Sequence, residues 1–115
     1  MKYIITENQL RKVIKKYFNK DLSNSIDQIT DYHDLPERFR RIYSKHALNY
    51  FLNNYGPMYV FRTEDGHLYL VQDQGSEWFI EDDEGYSASE EKLIRSLGIN
   101  ALSPKLSKVI DAYFD

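Results

Sequence analysis

The sequence predicts an α+β fold: a three-stranded antiparallel meander packed with about four helices, with Lys2–Ile5 as a candidate fourth strand. Three observations lead there. Between Pro57 and Glu84, two-residue alternation, aromatic and β-branched strand formers and Gly-containing turns coincide. Before and after that stretch, apolar residues recur at helical spacing behind capping signals. The chain has 115 residues, which predicts one domain spanning 1–115 with a core large enough to need no metal or disulfide.

The elements follow in order. Thr6 and Gln9 form a capping box that opens a helix carrying Leu10, Val13, Ile14, Tyr17 and Phe18 on one stripe. Its other face carries Arg11, Lys12, Lys15 and Lys16. Asp21–Tyr32 is polar, with Ile26 and Ile29 as anchors, and reads as one or two loose helical turns. Asp34 and Glu37 box a second start, with Pro36 tolerated in the first turn. The helix that follows places Phe39, Ile42, Tyr43, His46, Tyr50 and Phe51 on one stripe, widened by Leu48 and Leu52. Gly56 and Pro57 end it.

The opening YIITENQLRKVI, Tyr3 to Ile14, resembles the I-I-T-E-x-Q-L-x-x-x-I start shared by small uncharacterised proteins of tailed bacteriophages. The likeness spans about the first dozen residues, a strand and a capped helix. It brings no catalytic residue and no activity. It implies a phage-like setting, in which small proteins often act by binding host or virion proteins.

Strands are expected at 58–63, 67–73 and 77–81, joined by turns at Glu64–Gly66 and Asp73–Ser76. Simple alternation puts Met58, Val60, Leu68, Leu70, Trp78 and Ile80 on one face. Tyr59, Phe61, His67, Tyr69, Val71 and Phe79 take the other. A sheet with one wet face would make the second set polar. It is aromatic, so a helix of this chain, a second copy or a ligand must cover it. Ser87 and Glu90 box a helix that ends at Gly98, and Ser103-Pro104 opens the last one, which buries Leu106, Val109, Ile110, Tyr113 and Phe114. LRKVIKKYF at 10–18 and LSKVIDAYF at 106–114 share six of nine residues, as two helices would if they packed on the same sheet.

Chemistry has little to work with. There is no Cys, which excludes disulfides, thiolate catalysis and Cys-based zinc sites and fits a reducing, cytoplasmic setting. Met1–Ile5 is too short an apolar run for a signal peptide, and none approaches the roughly 20 residues that span a bilayer, so no membrane partner is expected. His33, His46 and His67 show no metal-ligand spacing; His46 reads as a core residue and His67 as an exposed hairpin residue. Glu81, Asp82, Asp83 and Glu84 are four carboxylates in a row, without the spacing of a calcium loop. No phosphate loop or nucleophile elbow is present. The expectation is a non-enzymatic protein with no catalytic residue, metal or cofactor.

The net charge of −3 is unevenly spread: residues 1–62 hold 11 Lys/Arg against 6 Asp/Glu, and residues 63–115 hold 4 against 12. Such polarity steers a chain toward a charged partner or a second copy of itself. The leading expectation is a small binding or regulatory protein that contacts another protein through Tyr59, Phe61, Tyr69 and Phe79 and the acidic turn Glu81, Asp82, Asp83 and Glu84. The alternative is a nucleic-acid-associated protein that presents Lys12, Lys15, Lys16, Arg38 and Arg41 to phosphates.

Overall fold

A computed structural model of the chain describes residues 25–98 and 106–114. The proposed strand at Lys2–Ile5, the basic helix at 6–18 with Lys12, Lys15 and Lys16, the phage-like opening and Ser103-Pro104 lie outside the described residues. Four antiparallel strands form one sheet in the order β1-β2-β3-β4: β1 Ile26–Ile29, β2 Met58–Arg62, β3 Leu68–Asp73 and β4 Trp78–Asp82. Four helices accompany them: α1 Glu37–Arg40, α2 Lys45–Tyr55, α3 Glu90–Ser96 and α4 Leu106–Phe114. A 3₁₀ turn at Tyr32–Asp34 precedes α1. The fold is α+β, as the sequence predicts.

The fourth strand comes from an unexpected segment. The sequence reads Asp21–Tyr32 as one or two loose helical turns anchored by Ile26 and Ile29, which are three apart; residues 26–29 form a strand instead. In a strand, that spacing puts the two isoleucines on opposite faces, and here each enters a different core. Ile26 pairs with Phe61 and Ile29 with Met58. β1 places one anchor in each core while Asp27 and Gln28 between them are exposed, and a short helix with the same spacing would have buried only one stripe.

Helices cover both faces of the sheet. One core joins Met58, Val60 and Leu70 to Ile29, Leu35, Phe39 and Leu48, under the 3₁₀ turn, α1 and α2. The other joins Phe61, Tyr69, Val71 and Ile80 to Ile26, Leu93, Leu97, Leu106, Val109 and Ile110, under α3 and α4. Each fully buried Leu contributes about 1.5–3 kcal/mol relative to exposure. The helical cover expected from α4 is therefore present, on the aromatic face.

Two local expectations are revised. The helix drawn from Pro36 to Leu52 is broken at 41–44 into α1 and α2. Asp34 does not cap it; its carboxylate accepts from Thr30, and Ser44 supplies the cap of α2 by accepting from the Ala47 N–H at 3.1 Å. The break shifts the phase of the stripe, so Phe39 and Leu48 are buried while Ile42, His46 and Tyr50 face solvent. His46 is not a core residue. Likewise α3 is capped by Ser89, not Ser87, and Glu90 accepts the Leu106 N–H at 2.7 Å, so the start of α4 is tied to the start of α3.

The strand alternation holds in β2 and β3 and inverts in β4. Asp73 pairs with Trp78 and Val71 with Ile80. Odd-numbered residues of β3 therefore share a face with even-numbered residues of β4. Trp78 and Ile80 join the Tyr59/Phe61/Tyr69 face, and Phe79 joins Met58, Val60 and Leu70. The connection's length sets this register, and one residue of difference flips every side chain.

Candidate functional site

The predicted contact surface divides into a buried part and a part that reaches solvent. Phe61 and Tyr69 are buried, and Tyr59 is half-buried with its ring centroid 5.0 Å from that of Phe114 on α4. Phe79, on the opposite face, packs between Tyr43 and Phe51, with centroids at 6.3 Å and 5.5 Å. These four aromatics belong to the chain's own cores. The aromatic face packs against α3 and α4 of the same chain, and in the acidic turn Glu84 is exposed.

That turn is built by its own first residues. Asp82 Oδ1 accepts from the N–H groups of Glu84 and Tyr86, each at 2.9 Å, and Gly85 supplies φ +88°. The Tyr86 carbonyl accepts the Asp82 N–H at 2.9 Å, and Ala88 N–H bonds to Ile80 carbonyl at 3.0 Å. Residues 86–88 thus return along β4, where Ser87 bridges Glu81. The unpaired edge of β4 is partly covered by this return.

The four carboxylates occupy four different environments. Glu81 lies on the sheet opposite Leu70, and burial, followed by the charge of Asp82, raises its pKa. Asp82 is engaged inside the turn. Asp83 is only 10% exposed, and one of its oxygens takes a 2.9 Å ion pair from Arg38 on α1. Glu84 alone is exposed.

The tip of the β2–β3 hairpin lies beside Asp83. His67 Nδ1 is 3.9 Å from Asp83 Oδ1, and its Nε2 is 3.8 Å from Asp65 Oδ2. The Thr63 hydroxyl donates to Asp65, and this bond is the main reason the Asp65 pKa is lowered. His67 is exposed, as expected of a hairpin residue.

Two residues that the sequence did not single out for contact complete this end of the molecule. Ile42 is 41% exposed and Tyr86 is 68% exposed. The Ile42 side chain stands over Gly85, where an added Cβ would meet its Cγ2 at 3.9 Å. The sequence places Ile42 on a continuous helical stripe. Recognising Ser44 as an N-cap would have released it. No sequence signal places Ile42 against Gly85, since that contact joins residues far apart in the chain.

Of the cations in the nucleic-acid reading, Arg38 bonds Asp83, and Arg41 pairs with Glu37 one turn earlier at 3.2 Å. Both are engaged with carboxylates. No helix among the described residues is long and apolar enough to cross a membrane. Comparison of the chain with protein-family models, curated proteins and solved structures gives no match in any of the three.

Proposed function

We propose that this chain is a small non-enzymatic binding protein that acts by protein–protein contact, with Ile42 and Tyr86 at the centre of the contact and Arg38, His67 and Glu84 at its rim. The observation that carries the reading is Tyr86: a large aromatic side chain, mostly exposed, on backbone fixed by the Asp82 hydrogen bonds. Rigid aromatic anchors ringed by polar groups are what binding hot spots are made of. A fixed turn also loses little entropy on binding. The resemblance of the opening residues to small phage proteins supports a host or virion protein as the partner and a cytoplasmic setting.

The test is affinity capture from bacterial lysate with mass-spectrometric identification, using the wild type and an Ile42→Ser/Tyr86→Ser variant. The reading expects a protein enriched by the wild type and lost with the variant, while the variant's melting temperature stays within a few degrees. Light scattering separates a second copy of the chain from a foreign partner. Equal capture by the variant, or no enrichment by the wild type, refutes the reading.

A further inference from the structure

Four side chains seat α4 on the sheet. Leu106, Val109 and Ile110 are buried in the core that Phe61 and Val71 supply, and Phe114 lies against Tyr59 with ring centroids 5.0 Å apart. The chain carries the same four a second time at the same spacing, as Leu10, Val13, Ile14 and Phe18. Every described side chain of α4 that joins the core is therefore among the six identities between 10–18 and 106–114. We propose that residues 10–18 of the same chain compete with α4 for this seat, which makes the C-terminal helix a releasable element.

The match goes further than a shared stripe requires. An amphipathic helix needs only apolar residues at these positions. Here Leu, Val, Ile and Phe each recur in their own place. Packed interiors feel a single methylene, so a seat shaped for these four accepts their repeat without repacking. The differences bear on the rim. Arg11 and Lys15 stand for Ser107 and Asp111, which line a groove of about 140 Å³ together with Asp73. Seated there, the segment brings two cations to the side of the Asp73 carboxylate. The third difference sets Lys16 against Ala112.

The seat is within reach. Ile26, where β1 begins, belongs to the same core as α4. It pairs with Phe61, and Tyr59 stands two residues further along β2. That places Tyr59 about 8 Å from Ile26, at one strand spacing and two residues. Residues 19–25 extend to about 23 Å, so the tether lets Phe18 arrive where Phe114 now packs. A segment tethered this closely competes at an effective concentration on the order of millimolar. α4 has one hold that the seat does not supply: the Leu106 N–H donates to Glu90 Oε1 at 2.7 Å. Glu90→Ala removes that hold and leaves the seat residues in place.

Cross-linking of the full chain tests the exchange. The chain has no Cys, so introduced thiols are the only ones. Tyr55 is exposed and lines the rim with Asp111. Tyr55→Cys/Asp111→Cys reports α4 in the seat, and Tyr55→Cys/Lys15→Cys reports residues 10–18 there. With a short bismaleimide, both pairs should join at monomer mass. Glu90→Ala should raise the yield at position 15 at least threefold and lower the yield at position 111. Val13→Asp/Ile14→Asp should abolish the product at position 15 and keep the product at 111, whose retention shows that the variant folds. Ile14→Ser serves if the double variant does not fold. No product at position 15 in either background would overturn the proposal. So would a product that survives loss of the stripe, or yields that fail to move in opposite directions with Glu90→Ala. A product at dimer mass would overturn the assignment to the same chain and give the seat to a second copy. Ile42→Ser/Tyr86→Ser should leave both yields unchanged, so a failed lysate capture and a failed cross-link point to different errors.

Discussion

Replacing Gln72 asks how much of the fold depends on one buried amide. The side chain is fully buried on β3. Its Nε2 donates to the carbonyls of Phe51 at 3.0 Å and Gly56 at 2.8 Å, and its Oε1 accepts from Gln74 Nε2 at 3.1 Å. It thus joins the centre of the sheet to the C-terminal end of α2. Gln72→Leu keeps the approximate size and removes both donors. A buried acceptor left without a partner costs about 1–3 kcal/mol, and the added apolar burial offsets part of that. The expected net loss is about 1–2 kcal/mol. Gln72→Glu keeps the shape but aims a carboxylate at two carbonyl oxygens, and its loss at pH 7 should exceed about 3 kcal/mol. Burial raises the pKa of the introduced carboxylate in the folded state, so its penalty is smallest below its unfolded pKa and grows as pH rises through the folded one. Urea unfolding followed by Trp78 fluorescence at pH 5 and pH 7 measures all three proteins. If Gln72→Glu unfolded at the same urea concentration as the wild type at pH 7, the bridge would be without energetic weight and the argument would fail.

Three further outcomes follow from the same geometry. Arg38→Met should cost about 1–2 kcal/mol, because it strands the largely covered Asp83, whereas Arg41→Met should cost less than about 0.5 kcal/mol, because Glu37 is 71% exposed; equal midpoints in urea would contradict this ranking. Glu81→Gln should raise the melting temperature at pH 7, since the raised pKa means the ionised form is disfavoured in the folded state. The gain should fade below pH 4.5, where the wild-type carboxyl is protonated in both states, and a gain that grew toward acid pH would reverse the sign of the argument. Asp65→Asn should leave neutral-pH stability lower than wild type and acid stability unchanged, because a carboxylate of lowered pKa stabilises above 3.8 and loses that contribution as pH falls through its folded value.

The sheet from 58 to 82 was readable because three local signals agreed there: alternation, turn residues and strand propensity. The strand ends came out within a residue of expectation. What failed depended on information that is not local. The face of β4 is set by how Asp73 and Trp78 pair across the turn, and alternation alone carries no register. β1 escaped because two isoleucines three apart satisfy a helix stripe and a doubly buried strand equally well. The helix break at 41–44 needed Ser44 to be weighed as a cap against a stripe that ran through it. For the site, the acidic run was visible, but not the division of its members among sheet, turn, ion pair and solvent. The pairing of Ile42 with Gly85 exists only once the chain is folded.

The order in which the two cores close carries a consequence for synthesis. Among the described residues, every one that covers the Met58/Val60/Leu70 face from outside the sheet lies before β2. That half can close as soon as β4 leaves the ribosome. The opposite face waits for α3 and α4, and at 5–20 residues per second the wait is on the order of seconds. During that interval Phe61, Tyr69, Val71 and Ile80 lack the cover that α3 and α4 give them. A chain ended after Ala88 would hold this nascent state permanently. Its tendency to self-associate or to recruit a chaperone would measure how much protection the last two helices give.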